Sequence, residues 1–582
     1  MNNKSKLSGV ILNVCLLAFI AFAVYILYIN QEVFYTAHDR SEFIYGAPFF
    51  HTLMSKPFGL MRYVGAWLTQ FFCHPGIGTG VLVAIWTGIY FVGTKAFRLH
   101  SSASALMLLP IACLLTSITD LGYWIYISPI RGYWFSQSVG FLVMLLLIWA
   151  ARCTPRKWHL VWYIVGCCIY PVLGWFALLF VLCLALTEKL TWREFAGLIL
   201  LLFTASIWHT QFYSNLRFDD VVLAGFPRFI TPSDKAEHLS IPFWALGVVS
   251  VLIPLCGHYL SKLKVFVPVL SAVAGIAFTL SLSFQDRNYI DEMRMVRYAS
   301  DDNWKGVLTM VEENEKPTST MVFLKNIALM NEGGLLDRSF KMGNNISFPI
   351  NIPDTVHVTL LNIASPLVYY NYGLMNDGIR LNFENAIQTG FSPFYVKMLS
   401  RCALAKGNIE QAERYMTLLH HHPFYGDWQP APVTEKVKEL QKCYSDELSG
   451  VENTDSYIVN AISLWSDSVS KVVSEQALLY SMLSCDSHRF WPALRKYLKA
   501  HEGDTFPRYA QEAYIMFMDK APEEKRLMIP VEEDIYKRYL KFLEDLSKRV
   551  KPGLKLGMVA EGMRKEWGDT YWWYYIFGRK IF

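Results

Sequence analysis

Long apolar runs fill the first half of this chain and restrict what it can fold into. Residues 9–29, GVILNVCLLAFIAFAVYILYI, hold no charged side chain. As a helix they are long enough to cross the ~30 Å hydrocarbon core of a bilayer. The run exceeds the apolar core of a cleaved signal peptide, and no small-residue cleavage site follows it. We therefore expect an uncleaved membrane-spanning helix.

Further apolar runs predict further spans. The stretch 159–187 is interrupted by Tyr170-Pro171 and Gly174. Because proline ends a helix and lacks an N–H donor, this stretch should form a broken helical hairpin. The expected fold class is all-α, with about seven full spans plus the hairpin. Beyond 9–29, the full spans are predicted at 78–94, 103–119, 134–151, 194–210, 241–260 and 265–284.

Charge divides the chain into two parts. Residues 1–284 hold 18 Lys+Arg and 10 Asp+Glu, whereas 285–582 hold 36 and 39. This split predicts a transmembrane domain over 1–284 and a water-soluble domain over 285–582. The net charge of +5 comes without a dense basic cluster, so nucleic acid is not an expected partner. The eleven cysteines include no CxxC pair and therefore indicate neither a zinc site nor a redox motif.

Basic residues in short loops predict the orientation in the membrane. Lys and Arg concentrate in cytoplasmic loops, and all these residues fall on one side if 159–187 is a hairpin. The N-terminus would then be cytoplasmic, in a bacterial inner membrane. Loops 30–77, 120–133 and 211–240 and the C-terminal domain would face the periplasm. The basic residues are Lys4, Lys6, Lys95, Arg98, Arg152, Arg156, Lys157, Lys189, Arg193, Lys262 and Lys264.

The stretch FYTAHDRSEF, residues 34–43, concentrates charge just beyond the first span. If 36–44 is helical, Glu42 lies one turn from both Asp39 and His38. That face could accept a proton from an acceptor hydroxyl or hold a divalent cation. Two neighbouring carboxylates would also raise one pKa. The alternative is a salt-bridged loop in which Arg40 pairs with either acid.

Other polar residues of the predicted outward loops are candidates too. Arg131, within the aromatic run GYWIYISPIRGYW (122–134), is the best fixed cation for an anionic ligand. The alternative is an arginine that anchors lipid headgroups among aromatic rings. Residues 57–76 predict a helix in the interfacial plane, since Arg62 would be costly in hydrocarbon. The further acidic candidates are Asp120, Asp219 and Asp220.

Pairs of amphipathic helices are predicted through the second half. The segment CALAKGNIEQAERYM (402–416) resembles the tetratricopeptide pattern, with small residues at a close helix crossing and a Gly407-Asn408 turn. The resemblance implies an α-solenoid, a fold that binds peptides or proteins on its concave face. The tract HHHPF (420–424) is interpreted as a solvated helix end rather than a metal site.

The predicted layout resembles the membrane glycosyltransferases of the GT-C superfamily. They share the short N-terminus, an acidic residue in a long first external loop, short broken helices and a C-terminal extracytoplasmic domain. The resemblance implies transfer of a sugar from a polyprenyl-phosphate carrier to a protein or polysaccharide acceptor. Asp39 or Glu42 would be the base or metal ligand, and Arg131 would hold the lipid phosphate. The adjacent acidic pair usual in that loop is absent here, where Arg40 follows Asp39.

Three segments also resemble an uncharacterised family of polytopic membrane proteins from Bacteroidota, which implies no particular activity. An alternative function is a non-enzymatic membrane-anchored scaffold for envelope assembly or secretion. A transporter is less favoured, because the spans hold few ionisable residues. The three segments are PFGLMRYVGAWLTQFF (57–72), YYNYGLMNDGIRLNFENA (369–386) and TYWWYYIF (570–577).

Overall fold

The structure is a computed structural model in which every regular element of the described residues is a helix, as predicted for the fold class. The described residues are 2–99, 101–127, 129–187, 191–229, 236–260, 266–312, 314, 317–341, 364–443, 470–518, 529–550 and 555–578.

Helices of the first half alternate between long apolar elements and short ones at their ends. Short 3₁₀ helices cover Gln70–Cys73, Ser101–Met107, Arg156–Trp158 and Glu237–Ser240. The α-helices are α1 (Asn2–Ile29), α2 (Gln31–Asp39), α3 (Ala47–Met54), α4 (Gly59–Thr69), α5 (Pro75–Ala96), α6 (Leu108–Thr119), α7 (Trp124–Ile127), α8 (Tyr133–Cys153), α9 (His159–Cys168), α10 (Tyr170–Leu173), α11 (Trp175–Leu186), α12 (Trp192–Phe212), α13 (Phe218–Val222), α14 (Ile241–Leu260) and α15 (Phe266–Leu282).

Within the described ranges, six helical segments are long and apolar enough to cross a membrane. A seventh, Phe266–Leu282, qualifies together with the helix after it, from which it is bent by 70°. Each overlaps a predicted span, because about 20 apolar residues in a helix are what a hydrocarbon core requires. The six are Ser8–Ile29, Pro75–Ala96, Ser102–Thr119, Tyr133–Cys153, Trp192–Phe212 and Glu237–Cys256.

The predicted break in 159–187 is confirmed at Pro171 and Gly174, where α9, α10 and α11 succeed one another. Gly174 has φ 54°, and a Cβ there would lie 2.0 Å from the carbonyl oxygen of Ala224. Only glycine fits such a close approach. In the same turn, the Pro171 carbonyl accepts a 2.7 Å hydrogen bond from the Phe58 amide. The turn therefore contacts both loop 30–77 and loop 211–240.

The helical bundle is built around α6 and the 3₁₀ helix before it, since the segment Ser102–Thr119 is 94% buried. Helices α14 and α15 pack on it, and α8 packs on α4, α5 and α11. A Cβ on Gly65 of α4 would lie 2.4 Å from the Gly132 carbonyl oxygen. The small residues thus bring α4 against the start of α8, and this contact fixes the neighbourhood of Arg131.

Polar loops and basic loops gather at opposite ends of this bundle. At the basic end, Arg98 donates to the carbonyl of Arg152 at 3.0 Å. At the other end, Gln137 donates to the carbonyl of Gly225 at 2.7 Å, and Glu42 meets Arg131. Which end faces the cytoplasm stays a prediction. Part of that expectation rests on Lys189, Lys262 and Lys264, which lie outside the described residues.

The second half consists of helices that pack in pairs and return onto the first. Its helix bounds are α16 (Arg287–Ser300), α17 (Trp304–Glu312), α18 (Ser319–Glu332), α19 (Leu335–Arg338), α20 (Ser365–Asn371), α21 (Met375–Thr389), α22 (Pro393–Ala405), α23 (Ile409–His420), α24 (Glu435–Cys443), α25 (Lys471–Leu483), α26 (Ser487–Ala500), α27 (Arg508–Met518), α28 (Glu533–Arg549), α29 (Leu556–Trp567) and α30 (Tyr571–Phe577).

Helix α16 attaches the second half to the first. Glu32 of α2 accepts hydrogen bonds from Arg297 at 2.8 Å and from Arg294 at 3.2 Å. Further along, α22 and α23 form the predicted pair, joined at Gly407 with φ 79°. The helices that follow α16 thereby lie over the polar end of the bundle.

Candidate functional site

The three ionisable residues of the predicted helical face diverge in the structure. Helix α2 ends at Asp39, with Arg40 as its C-cap, and Glu42 lies beyond the helix. The prediction of one face carrying His38, Asp39 and Glu42 was therefore wrong. No glycine or proline before Gly46 signals this helix end in the sequence.

Arg40 separates the two acids. Its guanidinium lies 3.6 Å from the centre of the Phe394 ring, and it donates to the hydroxyl of Tyr395 at 3.1 Å. The acids take their ion-pair partners elsewhere: Asp39 from Lys397 and Glu42 from Arg131. The salt-bridged loop centred on Arg40 is thus not what forms.

Glu42 and Arg131, two of the candidate residues from the sequence, form an ion pair in the structure. Arg131 Nη2 lies 2.7 Å from Glu42 Oε2. Burial raises the pKa of Glu42, while the charge of Arg131 and a hydrogen bond from the Phe391 amide oppose that rise. The cause is therefore burial and not a second carboxylate, contrary to expectation. The raised pKa suits a group that exchanges protons.

The second half of the chain covers Glu42 directly. A Cβ on Gly390, which has φ 111°, would lie 2.5 Å from Glu42 Oε2. Thr389 lines the same small cavity as Glu42 and Arg131, with Trp124 and Trp134 among the other walls. That cavity measures about 30 Å³, enough for about one or two water molecules. Residues 389–391 therefore act as a cover over the carboxylate.

Asp39 belongs to a different cavity, of about 50 Å³. Lys397 Nζ lies 3.4 Å from Asp39 Oδ1 and 3.6 Å from the centre of the Tyr425 ring. Asp301 and Arg401 line the same space. Arg40 lines both this cavity and the one at Glu42. Asp39 is thus held in a network of charges between the two halves.

His38 is fully buried in a histidine–aromatic cluster. Its Nε2 lies 3.0 Å from the Tyr425 hydroxyl. The His422 ring packs beside it, with Nε2 2.8 Å from Gln70 Oε1. Burial, aided by the nearby charge of Lys397, lowers the pKa of His38 to about 3. His38 is therefore neutral near pH 7 and does not face Glu42.

The tract 420–424 is a solvated helix end only in part. His420 and His421 are exposed, but His422 is buried. Burial, followed by the charges of His38 and Lys397, lowers the pKa of His422 to about 3. The aromatic residues Phe424 and Tyr425 directly after it were the sequence signal that this tract packs against something.

Asp120 is the C-cap residue of α6 and is buried. Burial raises its pKa well above the usual range for a carboxyl. Neighbouring Leu121 and Trp124 line the Glu42 cavity, whereas Asp120 is not among its lining residues. Asp120 is thus adjacent in sequence to residues that line the cavity but does not line it itself.

Asp219 and Asp220 lie on the short helix α13, away from Glu42. Asp219 is 3.8 Å from Arg217, and Asp220 pairs with Arg228. Asp220 lines a third cleft, on the other side of Ile130 from the Glu42 cavity. Neither residue joins the candidate site.

Over the residues that the structure describes, no group of three or more His, Cys, Asp or Glu side chains could hold a metal ion. His38 pairs with aromatic rings and with His422. Glu42 pairs with a guanidinium. The Glu42 carboxylate can accept a proton, and the Arg131 guanidinium beside it can bind an anion.

Comparison with known proteins yields a family and no activity. Neither a curated protein nor a solved structure matches this sequence. A family of unknown function, DUF6057, matches residues 6–578. Because that match covers almost the whole sequence, the chain belongs to the DUF6057 family.

Proposed function

We propose that this protein is a membrane glycosyltransferase that moves a sugar from a polyprenyl-phosphate carrier to an extracytoplasmic acceptor. It would reside in a bacterial inner membrane, with its N-terminus in the cytoplasm. The domain over 285–582 would lie in the periplasm as a tetratricopeptide-like solenoid. The observation that carries the proposal is the ion pair between the buried Glu42 and the half-buried Arg131 at the polar end of an apolar helical bundle.

The two side chains provide complementary parts of a transfer reaction. Glu42 takes the proton of an acceptor hydroxyl, and the acceptor oxygen forms a bond to the anomeric carbon of the sugar. The bond between that carbon and the phosphate oxygen breaks, and the lipid phosphate leaves with the bonding electrons. Arg131 stabilises the charge that develops on this phosphate. A base contributes about 10²–10⁴-fold to such a rate.

Entry of a sugar requires the cover over Glu42 to move. The present cavity of about 30 Å³ is too small for a sugar ring. Thr389 and Gly390 lie at the end of α21, and Phe391 supplies an amide to Glu42. Displacing 389–391 would open the site toward the second half of the chain, from which the acceptor would arrive. Closure would then exclude water during transfer.

A membrane-anchored scaffold remains the second candidate, and exposed apolar side chains of the second half favour it. Phe383 and Ile387 on α21 and Ile409 on α23 are all more than two-fifths exposed. Exposed apolar side chains of this kind are typical of protein-binding surfaces. A scaffold would tolerate changes at Glu42 and fail when these residues are altered.

The decisive comparison is Glu42→Gln against Asp39→Asn. Glu42→Gln keeps the shape but removes the base, so sugar transfer from defined polyprenyl-phosphate donors should fall by about 10²–10⁴-fold. Asp39→Asn changes a carboxylate of the neighbouring cavity and should retain most activity. In the unaltered protein, activity should fall as pH drops through the raised pKa of Glu42, and the residual activity of Glu42→Gln should lack that dependence.

Transfer would be measured on purified protein, with the membrane level of each variant checked first. If Glu42→Gln were as active as the unaltered protein, Glu42 would not be the base. The scaffold would be favoured if Phe383→Ser lost partner binding while Glu42→Gln functioned as the unaltered protein does.

A further inference from the structure

Arg62 is an arginine of the first loop whose side chain forms no ion pair with any residue that the structure describes. It lies on α4 and lines the third cleft, together with Lys56, Asp220 and Arg228. The described residues offer it no hydrogen-bond or ion-pair partner. Asp220, the acid of this cleft, is paired with Arg228. Lys56 and Arg62 therefore face the cleft without an ion-pair partner among the described residues.

The lack of an ion-pair partner is unusual for an arginine in the surroundings of Arg62. Burial and the charges of Arg131 and Arg228 lower the pKa of Arg62, whereas the charge of Asp220 raises it. Removing a charge from water is costly unless an opposite charge replaces the lost hydration. Arg62 is half-buried and lies near the charges of Arg131 and Arg228, so a bound anion would offset the repulsion among these cations.

The cleft is built by close backbone contacts and is much larger than the Glu42 cavity. Phe58 takes a left-handed conformation, with φ 67°, and packs against Gly225, where a Cβ would lie 2.5 Å from its ring. This contact joins Lys56 on one loop to Arg228 on another. The cleft measures about 300 Å³, against about 30 Å³ at Glu42. It can hold a phosphate group with room to spare.

The position of the cleft suggests where the anion comes from. It is lined by Leu216, just beyond the end of α12, and by Ser136, in the first turn of α8. Phe212, the last residue of α12, is 67% exposed. Ends of apolar spans with exposed aromatic rings lie at the level of lipid headgroups. An anion bound here can thus carry a hydrocarbon chain that continues into the bilayer.

We propose that the cleft of Lys56, Arg62 and Arg228 is a binding site for a doubly charged phosphate group at the head of a membrane lipid. A phosphate monoester carries about two negative charges near neutral pH, which matches the two cations that lack an ion-pair partner among the described residues. Arginine binds phosphate through paired N–H donors, and lysine adds a point charge. The site is separate from the Glu42 cavity, and its existence does not depend on sugar transfer.

Binding of farnesyl phosphate to the purified full-length protein in detergent tests this site. Farnesol provides the same chain without charge, and inorganic phosphate provides the charge without a chain. Farnesyl phosphate should bind more tightly than either. Arg62→Gln should weaken that binding by roughly tenfold or more, as expected for a lost charged hydrogen bond.

Arg217→Gln is the matched control. Arg217 lies in the same loop as Asp220, its side chain is 83% exposed, and it pairs with Asp219. This substitution removes the same charge outside the cleft and should leave binding unchanged. Lys56→Gln, at an exposed position, gives a second variant that is safe for folding and should weaken binding several-fold.

Several results would overturn the inference. Equal affinity of the unaltered protein and both cleft variants would exclude the cleft, as would absence of farnesyl phosphate binding. Farnesol binding as tightly as farnesyl phosphate would exclude the phosphate. Inorganic phosphate binding equally well would leave an anion site but exclude the lipid. The assay reads binding only, so its failure is distinguishable from failure of the transfer reaction.

Discussion

At the scale of single residues, the environment of Glu42 is set by side chains and backbone from three separate parts of the chain. Arg131 comes from the loop before α8, and the Phe391 amide comes from the second half. Glu42 itself lies in an irregular segment after α2. The carboxyl is thus controlled by contacts distant in sequence, and its cover at Gly390 is the most sensitive of them.

Gly390→Ala tests that cover. The new methyl would lie 2.5 Å from Glu42 Oε2 and must displace the carboxylate or the segment 389–391. We expect sugar transfer to fall at least tenfold, because misplacing a reacting group by about 1 Å can cost 10²-fold. The membrane level of the protein should change little.

Gly407→Ala is the control for backbone strain. Gly407 also has a positive φ, 79°, but a Cβ there meets nothing within 4 Å. Alanine at Gly407 costs about 1 kcal/mol for its positive φ. Gly390, with φ 111° and ψ 155°, lies in a region that essentially only glycine adopts, so thermal unfolding should shift further in Gly390→Ala. If Gly407→Ala lost as much activity as Gly390→Ala, the contact with Glu42 would not be the cause.

At the scale of elements, the segment after α23 docks onto the first loop through His38, Gln70, His422 and Tyr425. Burial lowers the pKa of both histidines to about 3. Their unfolded-state pKa is near 6.5. The folded state therefore binds fewer protons than the unfolded state below pH 6.5. The stability they contribute is present above that pH and is lost as the pH falls toward 3.

His422→Gln should weaken this pH dependence. In the unaltered protein, each buried histidine should cost about 1 kcal/mol of stability on going from pH 7.5 to 5.5. Glutamine can still donate to Gln70 but does not titrate, so the drop in the thermal midpoint should be smaller. His421→Gln, at an exposed neighbour, should behave as the unaltered protein does. An equal drop in all three proteins would contradict the burial of a neutral His422.

How much the sequence could predict depended on whether the signal was local. Hydrocarbon requires a continuous apolar helix, so the spans and the break at Pro171 were predictable from composition alone. The GT-C resemblance singled out Glu42 and Arg131, as base and phosphate-binding residue, but it did not predict that they form an ion pair. The end of α2 at Asp39 was not predictable, because Arg40 leaves the helix to contact Phe394 of the second half. Burial of His422 depends likewise on a distant partner.

At the scale of the whole molecule, the polar end of the bundle and the second half form one body. Glu32 meets Arg297, Asp39 meets Lys397, and Glu42 meets the Phe391 amide. If the apolar helices span a bilayer, these contacts require loop 30–77 and the helices after α15 to share one side of it. The basic loops around Arg98 and Arg152 must then lie on the other.

Thiol labelling in intact cells checks this arrangement. Glu410→Cys places a thiol at an exposed position of α23, where the Glu410 side chain is 81% exposed. A maleimide that cannot cross membranes should label this introduced thiol from the periplasm. The native exposed Cys153, which follows Arg152, should be labelled only after the membrane is opened. Labelling of Cys153 but not of the introduced thiol in intact cells would reverse the orientation and refute the proposed periplasmic site.

The cover formed by residues 389–391 has a consequence for biosynthesis. The apolar bundle can insert while the ribosome is still translating the second half, but Glu42 then stands open to water and lacks the Phe391 amide. A chain that stops before residue 389 would have the apolar bundle but would lack the contacts that cover Glu42. The buried environment of this carboxyl is therefore completed only after synthesis has passed residue 391.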